Sequence, residues 1–244
     1  MPLQMLEPRR LYRQIADQIG ALIAAGEFPP GSRLPPDRDL AQQLGVSRQS
    51  VREALIALEI SGLIDVRGGS GIYVNAGAAN AALANAASAD DGPGPLELLR
   101  ARALVEGEIA AIAAKQITRE ELALLDDTLA GLDGPGTTYS TRDDADRLFH
   151  LTIAEATRNS ALVQAVRLFW DQGRGPMWKK IEEHFHTAAL RRQTVSDHKA
   201  VLDALRDGKP AAARKCMRLH IGRVEKEFTQ GWHVVTPGGA ELHK

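Results

Sequence analysis

The stretch LAQQLGVSRQSVREALIALEISGLIDVRGGSGIYV, residues 40–74, decides the fold of the first part of the chain. Its Gly-Val-Ser turn ends one helix and begins another, because Gly45 suits a left-handed C-terminal position and Ser47 is a preferred N-cap. Apolar residues then recur at helical spacing until Gly62. Two short runs, LIDV and GIYV, are joined by RGGSG, which predicts a β-hairpin with glycines in its turn.

The segment before this stretch predicts two more helices and a loop. Apolar residues recur at helical spacing between residues 11 and 23, and Gly26 ends that helix. The run FPPGSRLPP contains too many prolines for a helix and predicts a loop with a short edge strand. We expect Asp37 to cap the short helix that follows and ends at Leu44.

Three helices followed by a glycine-tipped hairpin form a winged helix-turn-helix, predicted to cover residues 1–76. Burial of the apolar face of the third helix would leave Arg48, Gln49, Ser50 and Arg52 available to a DNA major groove. An arginine there can bind guanine O6 and N7 or a phosphate. Two arginines four residues apart also occur on ordinary solvated helix faces, but the surrounding turn and hairpin favour DNA binding.

The sequence from LPPDRDLAQQLGVSRQSVREAL to GIYV resembles the DNA-binding domain of GntR-family bacterial transcription regulators, with VSRxxVREALxxLExxGL as the specific signature. The resemblance implies DNA contacts from Arg38, Arg48, Gln49, Ser50, Arg52 and the wing glycine Gly69. Pro36 departs from the family's usual Ser or Ala, and we expect little effect at a helix start. Because one recognition helix covers only a few base pairs, we expect a homodimer on a pseudo-palindromic double-stranded operator.

The composition of the 244 residues is that of a globular chain, with 44% hydrophobic and 25% charged residues. A net charge of −1 argues against a general polyanion binder, so any DNA site must depend on where charges are placed. The chain has no run of about 18 apolar residues. We expect no signal peptide, because the first residues lack an apolar core. With Cys216 as the one cysteine, we expect a cytoplasmic protein without membrane contact.

The rest of the chain predicts a second, all-α domain, so the whole protein is expected to be mainly α. Residues 77–95 are small and polar and are predicted to be a linker. A helical-bundle effector domain is predicted over residues 96–232, with a loose tail over residues 233–244. Thr118 and Glu121 form a capping-box pattern. The other helices of this domain are expected at residues 96–115, 143–157, 160–170, 190–206 and 210–229.

One constellation in this second domain predicts a metal site. Asp146 and His150 are four residues apart and therefore lie on one helix face. His198 and His220 lie on two other predicted helices. Three imidazoles and a carboxylate suit a first-row transition metal.

Two alternatives to this site remain open. An Asp-x-x-x-His pair is often only a hydrogen bond on a helix surface, and dispersed histidines are commonly structural. His184 and His186 form a second candidate pair. We interpret that pair as surface or pocket-edge residues.

The segments RARALVEGEIAAIAA, DxxxHxxIAEATxNSxL, DHxxxLDAL and MRLH together resemble the all-helical FCD effector domain of the FadR-type branch of the GntR family. The family's ligands for a divalent metal correspond to Asp146, His150, His198 and His220. Zinc is the first candidate, with nickel and manganese as alternatives. The resemblance also implies that Arg102 contacts an effector, whose carboxylate a guanidinium can pair with. A salt bridge between Arg102 and Glu106 is the alternative.

Two segments, PLELLRARALVEGEIAAIAA and GPMWKKIEEHF, look like the hexuronate-utilisation repressors within this branch. The likeness implies a small carboxylate effector, such as glucuronate, galacturonate or a ketonic derivative, with Trp178 among its contacts. A packed aromatic loop is the alternative for Trp178, and other hydroxy acids remain open.

The expected function is therefore a transcription regulator, most simply a repressor, whose operator affinity depends on an effector bound beside a metal. A metal-dependent enzyme acting on a sugar acid is one alternative. We expect no enzyme, because no general base is positioned beside the ligands and the winged helix would have no purpose. A regulator that senses the metal itself is the other alternative.

Overall fold

A computed structural model of the chain describes residues 11–67, 70–76, 93–133, 137–173, 178 and 188–230. They form two compact units, the first built mainly from residues up to Gly94 and the second mainly from Pro95 onward. None of the described helices combines the length and the apolar composition that crossing a bilayer needs.

The described part of the first unit contains three helices and three short strands. In chain order they are α1 (Leu11–Ala24), β1 (Arg33–Leu34), α2 (Asp37–Leu44), α3 (Arg48–Ile60), β2 (Ile64–Arg67) and β3 (Gly71–Val74). Helix α3 packs against α1, α2 and β2. Their apolar faces form one core, which contains Ile15, Ile19, Ile23, Leu40, Val51, Leu55 and Leu58. The predicted winged helix-turn-helix is confirmed.

The strands form one antiparallel sheet in the order β1-β3-β2. Arg33 of β1 pairs with Tyr73, and Ile64 of β2 pairs with Val74. Burial alternates along β2 and β3, as it must when one face of a sheet covers a core. The edge strand expected within the proline-rich loop is β1, so that prediction is confirmed.

The turn between α2 and α3 is built as predicted, but the start of α2 is not. Gly45 has a φ of 65°, and the Ser47 side chain accepts a hydrogen bond from the Ser50 N–H. Asp37, in contrast, does not cap α2. The N-cap residue is Pro36, which offers no side-chain hydrogen bond, and Asp37 is the first helical residue. Its carboxylate instead binds arginines of α3.

The second unit is helical in all the elements that its described residues form. They are α4 (Pro95–Ala113), α5 (Arg119–Asp133), α6 (Tyr139–Glu155), α7 (Ser160–Gln172), α8 (Ala188–Arg206) and α9 (Pro210–Gln230). The capping box before α5 is confirmed, since the Thr118 N–H donates to Glu121 Oε2 at 2.9 Å and the Glu121 N–H donates to Thr118 Oγ1 at 3.2 Å. Helix α6 begins before the predicted residue 143, because Thr138 and Thr141 form a second capping box.

Helix α6 occupies a central position in this unit. It packs against α4, α5 and α7, while α8 packs against α4 and α5. The buried side chains between these helices include Leu99, Ile109, Leu125, Phe149, Ile153, Val201 and Leu202. A side chain on the inner face of α6 therefore lies deep within the helical unit.

Candidate nucleic-acid interface and metal centre

The first turn of α3 presents polar side chains on a fixed backbone. Ser47 Oγ accepts the Ser50 N–H at 3.1 Å and lies 2.9 Å from Ser50 Oγ. The Arg48 side chain is 55% exposed and that of Arg52 is 22% exposed. Gln49 and Ser50 are half-buried. Hydrogen-bond donors at a helix N-terminus, supported by a buried apolar face, suit the phosphates and base edges of a major groove.

Asp37 connects the two arginines of this surface. Its Oδ2 accepts from Arg52 Nε at 2.8 Å and from Arg48 Nη2 at 3.0 Å. Burial opposes ionisation of the carboxyl, but the hydrogen bonds and charges of Arg52 and Arg48 lower the pKa of Asp37 below its ordinary value. The carboxylate therefore holds both guanidinium groups in defined positions. Sequence reasoning missed this role, because an Asp before a helix is the ordinary pattern of an N-cap.

The surface around α3 contains two further arginines. Arg38 on α2 has a 78% exposed side chain whose Nε lies 3.3 Å from Asp39 Oδ1. Arg67 at the end of β2 was not singled out from the sequence, and its guanidinium carbon lies 4.6 Å from the Tyr73 ring centroid. The wing glycine Gly69 lies outside the described residues.

The second unit brings the four predicted metal ligands together. One ligand atom from each of Asp146, His150, His198 and His220 lies within 4.8 Å of the others. They come from α6, α8 and α9. The centroids of the His198 and His220 rings are 4.2 Å apart, and those of His150 and His220 are 5.3 Å apart. All three imidazoles are buried.

The hydrogen bonds of His198 fix which ring nitrogen faces the cluster. Its Nδ1–H donates to the Thr194 carbonyl at 2.8 Å, because a carbonyl oxygen can only accept. Its Nε2 lies 2.7 Å from Asp146 Oδ1. A lone pair facing a carboxylate at that distance needs a proton or a metal cation to offset the repulsion. This contact is typical of a site that holds a positive charge.

Two members of the cluster, Asp146 and His220, have lowered pKa values. Burial opposes ionisation of Asp146, but the charge of His198 and the close contacts of the His150 and His198 imidazoles keep the pKa of Asp146 well below its ordinary value. Burial and the charges of His198 and His150 lower the pKa of His220 well below its ordinary value. An ionised carboxylate beside a neutral imidazole is the protonation state that metal ligation requires.

Glu106 on α4 contacts one member of this cluster, His150. Its Oε2 is hydrogen-bonded to His150 Nδ1, and its Oε1 accepts from Arg102 Nε at 2.7 Å. Burial opposes ionisation, but the charges of Arg102 and His150 lower the pKa of Glu106 to about 2. Burial likewise opposes protonation of His150, but Glu106 and Asp146 raise its pKa to about 9. From the sequence, Glu106 was considered only as a salt-bridge partner of Arg102.

The donor set fits a divalent transition metal. Three imidazole nitrogens and one carboxylate oxygen are the ligands that zinc and its neighbours prefer. His150 Nε2 and His220 Nδ1 are buried and have no hydrogen-bond partner among the described residues. Buried polar atoms without partners are uncommon in native proteins, and two of them in this cluster point to a ligand.

Arg102 is buried beside the cluster instead of exposed on the surface. Its guanidinium carbon lies 4.4 Å from the Trp170 ring centroid, and that ring lies 5.5 Å from the His150 ring. The salt bridge with Glu106, which was the alternative to an effector contact, is present. The predicted effector role of Arg102 stays a prediction. Trp178 is half-buried, and His184 and His186 lie outside the described residues.

Comparison with known proteins gives independent findings. Residues 11–74 match the family described as bacterial regulatory proteins, gntR family, and residues 97–223 match the FCD domain. The chain is 39% identical over 231 residues to the Uxu operon transcriptional regulator of Escherichia coli (strain K12), covering 91% of this chain and 88% of that protein. It is 38% identical over 229 residues to the Exu regulon transcriptional regulator of the same strain, covering 90% and 84%.

A solved structure supports the fold alone. The crystal structure of a transcriptional regulator (GntR family member) from Pseudomonas syringae pv. tomato str. DC3000 superposes with a TM-score of 0.50 at 20% sequence identity. The superposition covers 93% of this chain and 88% of that chain.

Proposed function

The chain belongs to the GntR family of bacterial regulatory proteins and carries an FCD domain, and on this premise we propose that a metal-anchored carboxylate controls its affinity for an operator. It is a DNA-binding transcription regulator and not an enzyme. The family therefore argues against the alternative of a metal-dependent enzyme acting on a sugar acid.

In the proposed complex, the first turn of α3 contacts double-stranded operator DNA. The proposed contacts are Arg38, Arg48, Gln49, Ser50 and Arg52, with Gly69 in the wing. The exposure of Arg48 and the anchoring of both α3 arginines by Asp37 support this assignment. A homodimer would place two such helices on a pseudo-palindrome, with the half-site spacing set by their separation.

In the second unit, the proposed metal ligands are Asp146, His150, His198 and His220. The observation that carries the proposal is the convergence of their ligand atoms within 4.8 Å among buried helices. Bound there, zinc, or alternatively nickel or manganese, would supply a positive charge that attracts an anionic effector. The four side chains would hold the ion.

The proposed effector is a sugar acid such as glucuronate or galacturonate. Arg102 is the proposed partner of its carboxylate, because a guanidinium binds a carboxylate with two parallel hydrogen bonds. Trp178 is a further proposed contact. The relatives named Uxu operon and Exu regulon transcriptional regulators, together with the likeness to hexuronate-utilisation repressors, support this ligand class.

We expect the effector to act as an inducer of a repressor. An effector that binds one state of the protein better shifts the population towards that state, and typical coupling free energies are about 1–3 kcal/mol. Such a coupling would lower operator affinity roughly 5–150-fold, which is sufficient for regulation.

Operator affinity measured by fluorescence anisotropy tests this proposal. Promoter fragments from the protein's own genome are titrated with metal-free chain, with zinc-loaded chain, and with zinc-loaded chain plus D-glucuronate or D-galacturonate. We expect specific binding that a hexuronate weakens only when zinc is present. In His220→Gln this response should be lost, whereas a double variant of the alternative pair, His184→Gln and His186→Gln, should keep it.

Other outcomes would redirect or contradict the proposal. An affinity change caused by zinc alone would identify a metal sensor. Equal zinc content in His220→Gln and wild type would contradict the four-ligand site, and absence of any response to hexuronates would contradict the effector class.

A further inference from the structure

Glu106 lies between one proposed metal ligand, His150, and the proposed effector arginine, Arg102. Its side chain is 2% exposed, and both of its carboxylate oxygens are engaged. One accepts from Arg102 Nε at 2.7 Å, and the other is hydrogen-bonded to His150 Nδ1. One buried carboxylate therefore contacts the proposed effector arginine and a proposed metal ligand at the same time.

The bond to His150 determines which nitrogen of that ring is available to a metal. An ionised carboxylate only accepts hydrogen bonds, so His150 Nδ1 must carry the proton. The remaining nitrogen, Nε2, lies 3.4 Å from Asp146 Oδ1 and makes no hydrogen bond within the described part of the chain. Glu106 therefore directs the ligating nitrogen of His150 into the cluster.

The hydrogen bond from Arg102 to Glu106 fixes the orientation of the guanidinium group. Its Nε is held by Glu106, and its planar group lies against the Trp170 ring. Within the described ranges, Arg102 makes its hydrogen bond through Nε alone. Both Nη groups therefore keep their N–H donors for a carboxylate ligand. The contacts of Arg102 with Glu106 and Trp170 orient these donors before a ligand binds.

We propose that Glu106 is a positioning residue that orients His150 Nε2 towards the metal and Arg102 towards the effector. This inference rests on the proposed function, because it presupposes a metal among the four ligands. Histidine ligands usually donate their second N–H to a carboxylate or carbonyl group, and loss of that partner typically weakens metal affinity roughly 10–100-fold.

Glu106→Gln separates the two contacts of the carboxylate. A glutamine has one acceptor oxygen, and the permanently charged Arg102 should take it, because a charge-assisted hydrogen bond is the stronger one. The amide NH₂ would then face His150 Nδ1 and favour a proton on Nε2, where it blocks the metal. Glu108→Gln is the matched control, because Glu108 lies on the same helix but is exposed and pairs with Arg214 and Arg218.

The test is the zinc dissociation constant of the full chain, measured by competition with a chromophoric chelator. We expect zinc binding to be about 10–100-fold weaker in Glu106→Gln and unchanged in Glu108→Gln. Thermal unfolding of the metal-free proteins checks that the variants fold. Nitrogen NMR of the zinc-loaded wild type gives a second readout, in which His150 should show a protonated Nδ1 and a metal-bound Nε2.

The possible outcomes distinguish the positioning role of Glu106 from the proposed metal site on which it rests. Zinc binding by Glu106→Gln within twofold of wild type, or Nδ1 as the ligating nitrogen in the wild type, would overturn the positioning role alone. A wild-type chain that takes up no divalent metal would overturn the proposed metal site, and this inference with it. If Glu106→Gln does not fold, the tautomer of His150 in the zinc-loaded wild type still tests the positioning role of Glu106.

Discussion

Asp37 determines, at the scale of single residues, how the α3 arginines are presented. Its carboxylate accepts hydrogen bonds from both Arg48 and Arg52, so two mobile side chains share one anchor. An arginine whose guanidinium is already oriented loses less rotamer entropy on binding a base or phosphate. The carboxylate also places a negative charge beside the proposed DNA surface, which weakens attraction to any duplex. The first effect strengthens the contacts with the operator and the second weakens binding to every duplex, so together they favour discrimination.

We therefore predict that Asp37→Asn lowers the ratio of specific to non-specific DNA affinity by about tenfold, or about 1.4 kcal/mol. The freed arginines should bind the operator less well, while the added positive charge should strengthen binding to unrelated duplexes. Anisotropy titrations with operator and scrambled DNA at one salt concentration measure the ratio. Asp39→Asn is the control, because it changes the charge equally and its ion pair among the described residues is with the exposed Arg38. An equal change in both variants would show that charge alone is responsible.

Arg52→Ala should weaken operator binding by about 1–3 kcal/mol. The salt dependence of the remaining affinity identifies the contact, because loss of a phosphate contact lowers the slope of log K against log [salt] by about 1, whereas loss of a base contact leaves it nearly unchanged. Arg206→Ala, which removes an arginine paired with Asp126 in the second unit, should bind as wild type does. Wild-type operator affinity in Arg52→Ala would refute the assignment.

At the scale of elements, Glu59 links the last turn of α3 to the wing. Its Oε1 accepts a hydrogen bond from the Val66 N–H on β2 at 3.2 Å. Burial and the nearby charge of Asp65 raise the pKa of Glu59 to about 7, although the bond from Val66 acts in the opposite direction. The folded state therefore binds a proton that the unfolded chain releases at lower pH, so this group destabilises the fold increasingly as pH rises from about 4.5 to about 7.

Glu59→Gln should remove this pH dependence. The variant and the wild type should be equally stable below about pH 4.5, and above pH 7 the variant should be more stable by about 1–2 kcal/mol, a figure reduced for the partial exposure of the group. Hydrogen exchange of the α3 amides in the full chain measures this difference in local opening free energy. A stability difference that is constant with pH would contradict the assigned shift.

The helices whose ends were best predicted are those capped by residues close to them in the sequence. Gly45, Ser47 and the Thr118–Glu121 capping box act within one turn of chain, so their spacing is sufficient to place them. The start of α6 was misplaced, because its Thr138–Thr141 box follows a glycine- and proline-rich run typical of a loop. Asp37 was misassigned because its partners lie on the next helix, and no local pattern reports a contact across a turn.

At the scale of the whole molecule, the candidate metal centre was only partly predictable. The four-residue spacing of Asp146 and His150 places them together on any helix, but His198 and His220 approach them only through the packing of α8 and α9. They were included because they lie on other predicted helices, and the family resemblance then identified them as ligands. Glu106 and Trp170 were not identified as partners of this cluster, because their contacts with His150 depend on how α4 and α7 pack against α6.

The proposed regulation joins two binding equilibria in one molecule, and thermodynamic linkage makes it reciprocal. If D-galacturonate weakens operator binding by some factor in the zinc-loaded protein, saturating operator must weaken D-galacturonate binding by the same factor, expected to be roughly 5–150-fold. Calorimetric titration of the zinc-loaded chain, with and without operator, measures the second factor, and a scrambled duplex of equal length at the same salt concentration is the control. An operator that leaves D-galacturonate affinity unchanged, while D-galacturonate still releases the operator, would mean that the sugar acid acts through a species other than this chain. The coupling between the DNA-binding domain and the FCD domain would then have to be abandoned, even if each domain binds its own ligand.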